Sequence, residues 1–212
     1  MRDLMVIGAS GTGREILDLV EDLNAISAQW RVCGILDDEA DNQGREIHGI
    51  PVLGPVDFAR GRSEALAIGI ASSGNRGARP GIMARLGCDI GRFPTLVHPS
   101  ASVSRRARIG AGVIVLNNAV IGSEAEIGDF SVIFPNATIG HDSRLGAGVT
   151  VGPGAGVSGF VTVGDGAYLG SGCRIRERTQ IGGKALVGIG AVVLGDVGPG
   201  HVVFGNPARR CL

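Results

Sequence analysis

Ala137-Thr138-Ile139-Gly140-His141-Asp142, followed by Ser143-Arg144-Leu145-Gly146-Ala147-Gly148, shows the unit from which most of this chain is built. An aliphatic residue stands third in each hexapeptide, and a small residue stands two places before it. Extended in both directions, the pattern runs from Val103 through Ile109, Val115 and Ile121 to Val187 and Val193, sixteen interior positions at six-residue intervals without a gap. Ten of the sixteen are followed by Gly, so most units leave the interior position through a residue suited to a sharp corner. A fixed six-residue period is the sequence signature of a solenoid.

The period decides the architecture. Helical spacing of about 3.6 residues cannot keep every sixth side chain on one face. A short flat strand plus a corner can. Three such units close one triangular coil, in which each interior side chain stacks on its counterpart one coil away. The expected structure is a parallel β-helix of a little over five coils, held together by contacts between neighbouring coils. Composition agrees: Gly is abundant at 37 of 212 residues and aromatics make up only 4%, as a narrow aliphatic interior requires.

Charge and composition exclude several functions. Twenty basic and twenty acidic residues cancel, which argues against nucleic acid or an anionic surface as partner. No run approaches the ~18 apolar residues of a membrane span. The N-terminus enters a strand at once, without the pattern of a secretory signal, so a cytoplasmic location is expected. Cys33, Cys88, Cys173 and Cys211 form no CxxC pair, so neither a zinc site nor a disulfide framework is expected.

A different organisation precedes the repeat. Leu4-Met5-Val6-Ile7-Gly8 reads as a buried strand, Gly8 to Gly13 as a tight turn, and Arg14 to Leu23 as a helix with Ile16, Leu17, Leu19, Val20 and Leu23 inward. Strands follow at Val32 to Leu36, Ile50 to Leu53 and Ala65 to Ala71, with a helix over Pro80 to Leu86. Strands and helices in alternation point to a small Rossmann-like α/β domain with a parallel sheet, residues 1–95, joined to the solenoid, residues 96–212. The turn Gly8-Ala9-Ser10-Gly11-Thr12-Gly13 lets backbone N–H groups approach a phosphate, and Asp37 ends the next strand where a ribose could be held. As a dinucleotide fingerprint it is incomplete, with Ser10 at the second glycine position and no second half-domain. A nucleotide diphosphate, a dinucleotide and a purely structural turn all fit the motif.

Of the four histidines, His48, His98 and His201 read as surface, domain-join and tail residues. His141 differs: it lies on the solenoid wall next to Asp142. An imidazole there, with an ordinary pKa of ~6.5, could take a proton from an attacking nucleophile while Asp142 held its tautomer.

These segments together, with the join Phe93-Pro94-Thr95-Leu96-Val97-His98-Pro99 and the tail Gly205-Asn206-Pro207-Ala208-Arg209, resemble the bacterial sialic acid O-acetyltransferase and UDP-amino-sugar N-acetyltransferase family over essentially the whole chain. The resemblance implies a homotrimer of left-handed β-helices that carries an acetyl group from acetyl-CoA to an amino or hydroxyl group of a nucleotide-linked sugar, without a metal. His141 matches the catalytic base, assisted by Asp142. Gly8, Ser10, Gly11, Thr12, Gly13, Asp37, Asp38 and Asn75 would meet the acceptor. Thr150, Gly159, Gly190, Gly205, Pro207, Ala208 and Arg209 would meet the coenzyme. The chain departs from the family pattern at Gly140, Phe134, Thr150 and Thr12, where members carry Glu, Asn, His and His. A γ-class carbonic anhydrase would need three His ligands, and only His141 lies on the repeat. A scaffold solenoid would leave the α/β domain and the tail without a use, and a serine- or maltose-type acetyltransferase would have no use for a nucleotide-binding domain.

Overall fold

Eighteen residues make one coil. The computed structural model describes residues 1–211. In it Ile121 pairs with Ile139 and Ile139 with Val157, each across a separation of eighteen, which shortens only in the last coil, where Val187 pairs with Val203. Two-residue strands repeat around a three-sided prism, whose sides are sheets of 8, 6 and 5 strands, all parallel except for Arg209–Arg210 at the end of the largest. The first face begins at Leu96–Val97, the second at Ser102–Val103 and the third at Arg108–Ile109. Fourteen interior ladder residues, from Val115 to Val193, are buried in one aliphatic cluster. Each such side chain contributes about 1.5–3 kcal/mol. Val103 and Ile109 are only partly buried, because they lie in the first coil and have no complete coil beyond them. The small residues two places earlier, such as Ala119, Ala137 and Ala185, are fully buried inside the corners.

The N-terminal sheet contains β1 (Arg2–Ile7), β2 (Trp30–Leu36), β3 (Glu46–Ile47), β4 (Ile50–Gly54) and β5 (Ala65–Ile68), in the order β3-β4-β2-β1-β5. All pairs are parallel except the β3–β4 hairpin. Its turn is His48-Gly49, both with positive φ. Helix α1 spans Gly11–Ile26 and α2 spans Ala78–Leu86. The first helix starts three residues before the sequence reading: Gly11 to Gly13 form its first turn, closed by Arg14 N–H donating to Ser10 O at 3.1 Å. Gly13 must be glycine, since a Cβ there would lie 1.9 Å from the Gly8 carbonyl oxygen.

The α/β domain covers the first face of the prism. Leu96, Ile114 and Val132 point outward from that face into a cluster with Ile16, Leu19 and Val20 of α1. A second cluster joins Phe93 and Phe130 to Ile82 and Leu86 of α2. Between them Arg79 is buried to 2% exposure, and its guanidinium donates to Ile70 O (2.8 Å), Gly148 O (2.7 Å), Val149 O (3.0 Å) and the Oγ1 of Thr150 (3.0 Å), besides Phe130 O. Burial lowers its pKa to about 10, so the group remains charged at neutral pH. One cation therefore joins the carbonyls of successive coils to the α/β domain.

Candidate active site

Two places carry chemistry, and they lie on different edges of the prism. The first is a cavity of about 670 Å³ where the α/β domain meets the solenoid. Gly8, Ser10, Gly11 and Thr12 line it at the first turn of α1, with Asp37, Asp38, Asn75 and Arg85 around them and Phe134, Pro153 and Tyr168 from the solenoid. Phe134 and Pro153 belong to the edge between the first and second faces.

The carboxylates here already serve the protein. Asp37 accepts from Ala9 N–H at 2.7 Å and from Glu39 N–H at 2.8 Å, so it shapes the glycine turn. Asp38 accepts from Val56 N–H and forms a two-pronged ion pair with Arg85, which also reaches Asp57 at 3.0 Å. The Arg85 guanidinium, ahead of an opposing desolvation, holds the Asp38 carboxyl below its ordinary value. Asp38 is thus tied to Arg85 rather than free for a ribose. Gly13 stands behind the turn and does not line the cavity. Arg85, Phe134 and Tyr168 escaped sequence reading as lining residues. An available signal was the apolar run at the residue before every third interior position, Leu96, Ile114 and Val132, which marks a covered face.

The second place is the edge between the second and third faces, where His141 projects with its side chain 60% exposed. Its Nδ1 lies 2.7 Å from the Asp142 carboxylate. That contact leaves Nε2 as the ring nitrogen available to a ligand. Gly159, one coil further on, lies directly beneath the ring: a Cβ there would stand 2.8 Å from both Cε1 and Nε2. The ring of Phe160 meets the imidazole edge to face at 5.1 Å. A charged imidazolium formed at Nε2 would be stabilised by Asp142, which suits a general base.

The coenzyme residues expected from the sequence divide between these edges. Gly159 lies with His141. Gly190 and the tail lie on the edge between the first and second faces, where Val192 N–H donates to Gly205 O at 2.9 Å and Ala208 N–H to Val192 O at 2.8 Å. Pro207 follows a cis peptide, and Arg209 starts an antiparallel strand against Phe204. Thr150 is a correction: it is 4% exposed, bonded to Arg79 and covered by the α/β domain, so its side chain faces no groove. Cys173 is buried in the prism, and burial pushes its thiol up to about 12, which keeps it from acting as a nucleophile. Among the described residues no three His, Cys, Asp or Glu side chains come together in a way that could hold a metal ion.

Known proteins share both halves. The PglD N-terminal domain matches residues 3–82, and the bacterial transferase hexapeptide matches residues 124–159 and 142–177. Perosamine N-acetyltransferase from Caulobacter crescentus, solved as its H141N mutant with CoA and GDP-perosamine, is 30% identical and superposes with a TM-score of 0.85 over 100% of this chain and 98% of that one. The chain belongs to the hexapeptide-repeat sugar acetyltransferases. Within that family, the acetyltransferase domain of PglB from Neisseria gonorrhoeae, solved with acetyl coenzyme A, is also 30% identical, with a TM-score of 0.84 over 99% of each chain. UDP-N-acetylbacillosamine N-acetyltransferase from Bacillus subtilis is 32% identical over 118 residues, 55% of this chain and about half (52%) of that relative. The expected fold class, a parallel β-helix from the hexapeptide period, an α/β domain from the alternating elements before it and the left hand implied by the family resemblance, is the fold of these relatives.

Proposed function

We propose that this chain transfers the acetyl group of acetyl-CoA to the amino group of a nucleotide-linked amino sugar, in a homotrimer whose active sites form between chains, with His141 as general base. The observation that carries the reading is the His141–Asp142 pair beside Gly159: a tautomer-fixed imidazole with Nε2 free, above a backbone that has no side chain in the way. Relatives of similar length that bind CoA and GDP-perosamine, or acetyl coenzyme A, support the substrate pair. Among the described residues no helix is long and apolar enough to cross a membrane.

Separate edges argue for the trimer. The acceptor cavity opens near Phe134 and Pro153, yet the base lies on the next edge, so one chain does not bring them together. A three-fold ring that sets the first edge of one chain against the second edge of its neighbour unites them, and also joins Gly159 to the Gly190 edge in one groove. The second face would then point to the axis. Its outward residues are Ser102, Val120, Thr138, Gly156, Arg174 and Val192, mostly short or apolar. The third face, carrying the Arg108–Glu126–Arg144 ladder with ion pairs at 2.9 and 3.6 Å, would stay in water.

In this arrangement residues 1–95 hold the nucleotide sugar and residues 96–212 perform the transfer. The first turn of α1 presents N–H groups to the diphosphate. The sugar amine attacks the thioester carbonyl as His141 Nε2 takes its proton, and the collapsing intermediate releases the CoA thiol. Gly159 N–H makes no hydrogen bond within the chain among the described residues, and it lies next to the ring. It would donate to the oxyanion. Release of CoA with a panel of nucleotide amino sugars and their hydroxyl counterparts tests the proposal. His141→Ala should lower kcat by about 10²–10⁴ and leave the trimer intact. Full activity in that variant, or in a stable monomer, would sink it.

A further inference from the structure

The fourteen corners from Gly112 to Gly190 each carry one residue in the left-handed backbone region, three places after an interior position. Glycine or asparagine fills eight of them, and the polar Glu124, Asp142, Arg178 and Lys184 fill four more. A Cβ is disfavoured in that conformation, and a bulky side chain there is an outlier that calls for compensation. Phenylalanine occupies it twice, at Phe130 and Phe160, both with φ of 58°. For Phe130 the compensation is burial: it is 3% exposed and packs edge-on against Phe93 at 5.1 Å. Phe160 remains 43% exposed, so burial within the chain does not account for it.

What Phe160 touches is the catalytic edge. Its ring meets His141 at 5.1 Å with an interplanar angle of 89°, and the Arg178 guanidinium lies 4.5 Å from its centroid on the following coil. Asp142, Phe160 and Arg178 stand eighteen residues apart at the same corner position, with φ of 58°, 58° and 60°. Carboxylate, phenyl ring and guanidinium therefore follow one another up the edge. Asp142 holds Nδ1 of His141, Gly159 leaves the space under the ring open, and Phe160 is the side chain that bounds the ring from the next coil.

We infer that Phe160, itself held by Arg178 through a cation–π contact, is a positioning residue that fixes the imidazole of His141 with Nε2 toward the reacting groove. The inference rests on His141 being the base. An exposed imidazole tied only at Nδ1 can still swing about its side-chain torsions, and a ring packed edge to face against it restricts that swing. The restriction raises the fraction of enzyme in which Nε2 meets the acceptor amine.

Phe160→Gly, Phe160→Tyr and Arg178→Ala, compared with the wild-type enzyme and His141→Ala, test it. Glycine is the residue that this backbone favours, so Phe160→Gly should melt at or above the wild-type temperature and remain trimeric. Its KM for acetyl-CoA should stay within about twofold while kcat falls by about tenfold or more. Phe160→Tyr keeps the ring and should recover kcat to within about twofold, and Arg178→Ala should fall between the two. A Phe160→Gly enzyme with wild-type kcat and an unchanged pH profile would overturn the inference. So would its dissociation into monomers, which would assign the ring to assembly, or a Phe160→Tyr enzyme as slow as the glycine variant. If His141→Ala stays active, the base assignment itself has failed. If His141→Ala is inactive and Phe160→Gly is not impaired, only the positioning role has failed.

Discussion

If His141 is the general base as proposed, replacing Gly159 with alanine should disable it while leaving the fold nearly untouched. The new Cβ would stand 2.8 Å from both Cε1 and Nε2 of His141. Ordinary carbon contacts lie at about 3.5–4.0 Å, so the ring must retreat by roughly 0.7–1.2 Å. The imidazole is 60% exposed and can yield outward against its contacts with Phe160 and Asp142, so the solenoid need not shift and the melting temperature should change by no more than about 3 °C. The retreat moves Nε2 away from the acceptor and strains the 2.7 Å contact of Nδ1 with Asp142. A misplacement of about 1 Å can cost ~10²-fold in rate, equivalent to about 2.7 kcal/mol of barrier. The assay is initial-rate release of the CoA thiol with both substrates saturating, so that kcat is read directly, together with KM for acetyl-CoA. A Gly159→Ala enzyme with kcat within about threefold of wild type would refute the placement of the ring. A loss confined to the KM for acetyl-CoA would show that Gly159 acts on the coenzyme alone.

Three further outcomes are expected. A Cβ on Gly11 meets nothing within 4 Å and points into open space beside the cavity, so Gly11→Leu should keep its melting temperature yet lose detectable nucleotide-sugar binding by calorimetry; undiminished binding would move the acceptor elsewhere. Arg79→Ala removes a buried cation and its bonds to carbonyls on both sides of the domain junction, so it should lose about 3 kcal/mol or more in thermal or urea unfolding, roughly 6–12 °C in Tm; a shift under about 2 °C would deny Arg79 that role. Burial, reinforced by Asp18, raises the Glu15 carboxyl above its ordinary 4.5, and its Oε2 has no hydrogen-bond partner. A carboxyl with a raised folded-state pKa favours the fold below its unfolded value, and that contribution is lost as pH rises through the folded value. Glu15→Gln should therefore be at least as stable as wild type at pH 7, with a flatter stability profile just above pH ~4.5; a variant clearly less stable at pH 7 would contradict this.

The hexapeptide ladder was legible because every coil repeats the same local demand: one aliphatic residue inward and one compact residue at the corner. Ile121, Ile139 and Val157 stack at a separation of eighteen by arithmetic alone, so period fixed the prism, the interior and the corner on which His141 stands. The pairing of His141 with Asp142 was equally local, since the two are adjacent in the chain. Contacts between parts remote in sequence were not legible. Nothing local shows that Asp37 is taken up by Ala9 N–H, that Asp38 is held by Arg85 across 47 residues, or that Thr150 lies under Arg79 across 71. Nor does the period show that the α/β domain covers the first face, leaving the cavity beside Gly11 and the side chain of His141 on different edges. Repetition determines a solenoid because each coil meets only its neighbours. Where a second domain settles on it, and which side chains then meet, depends on packing between distant segments, and that only the tertiary structure decides.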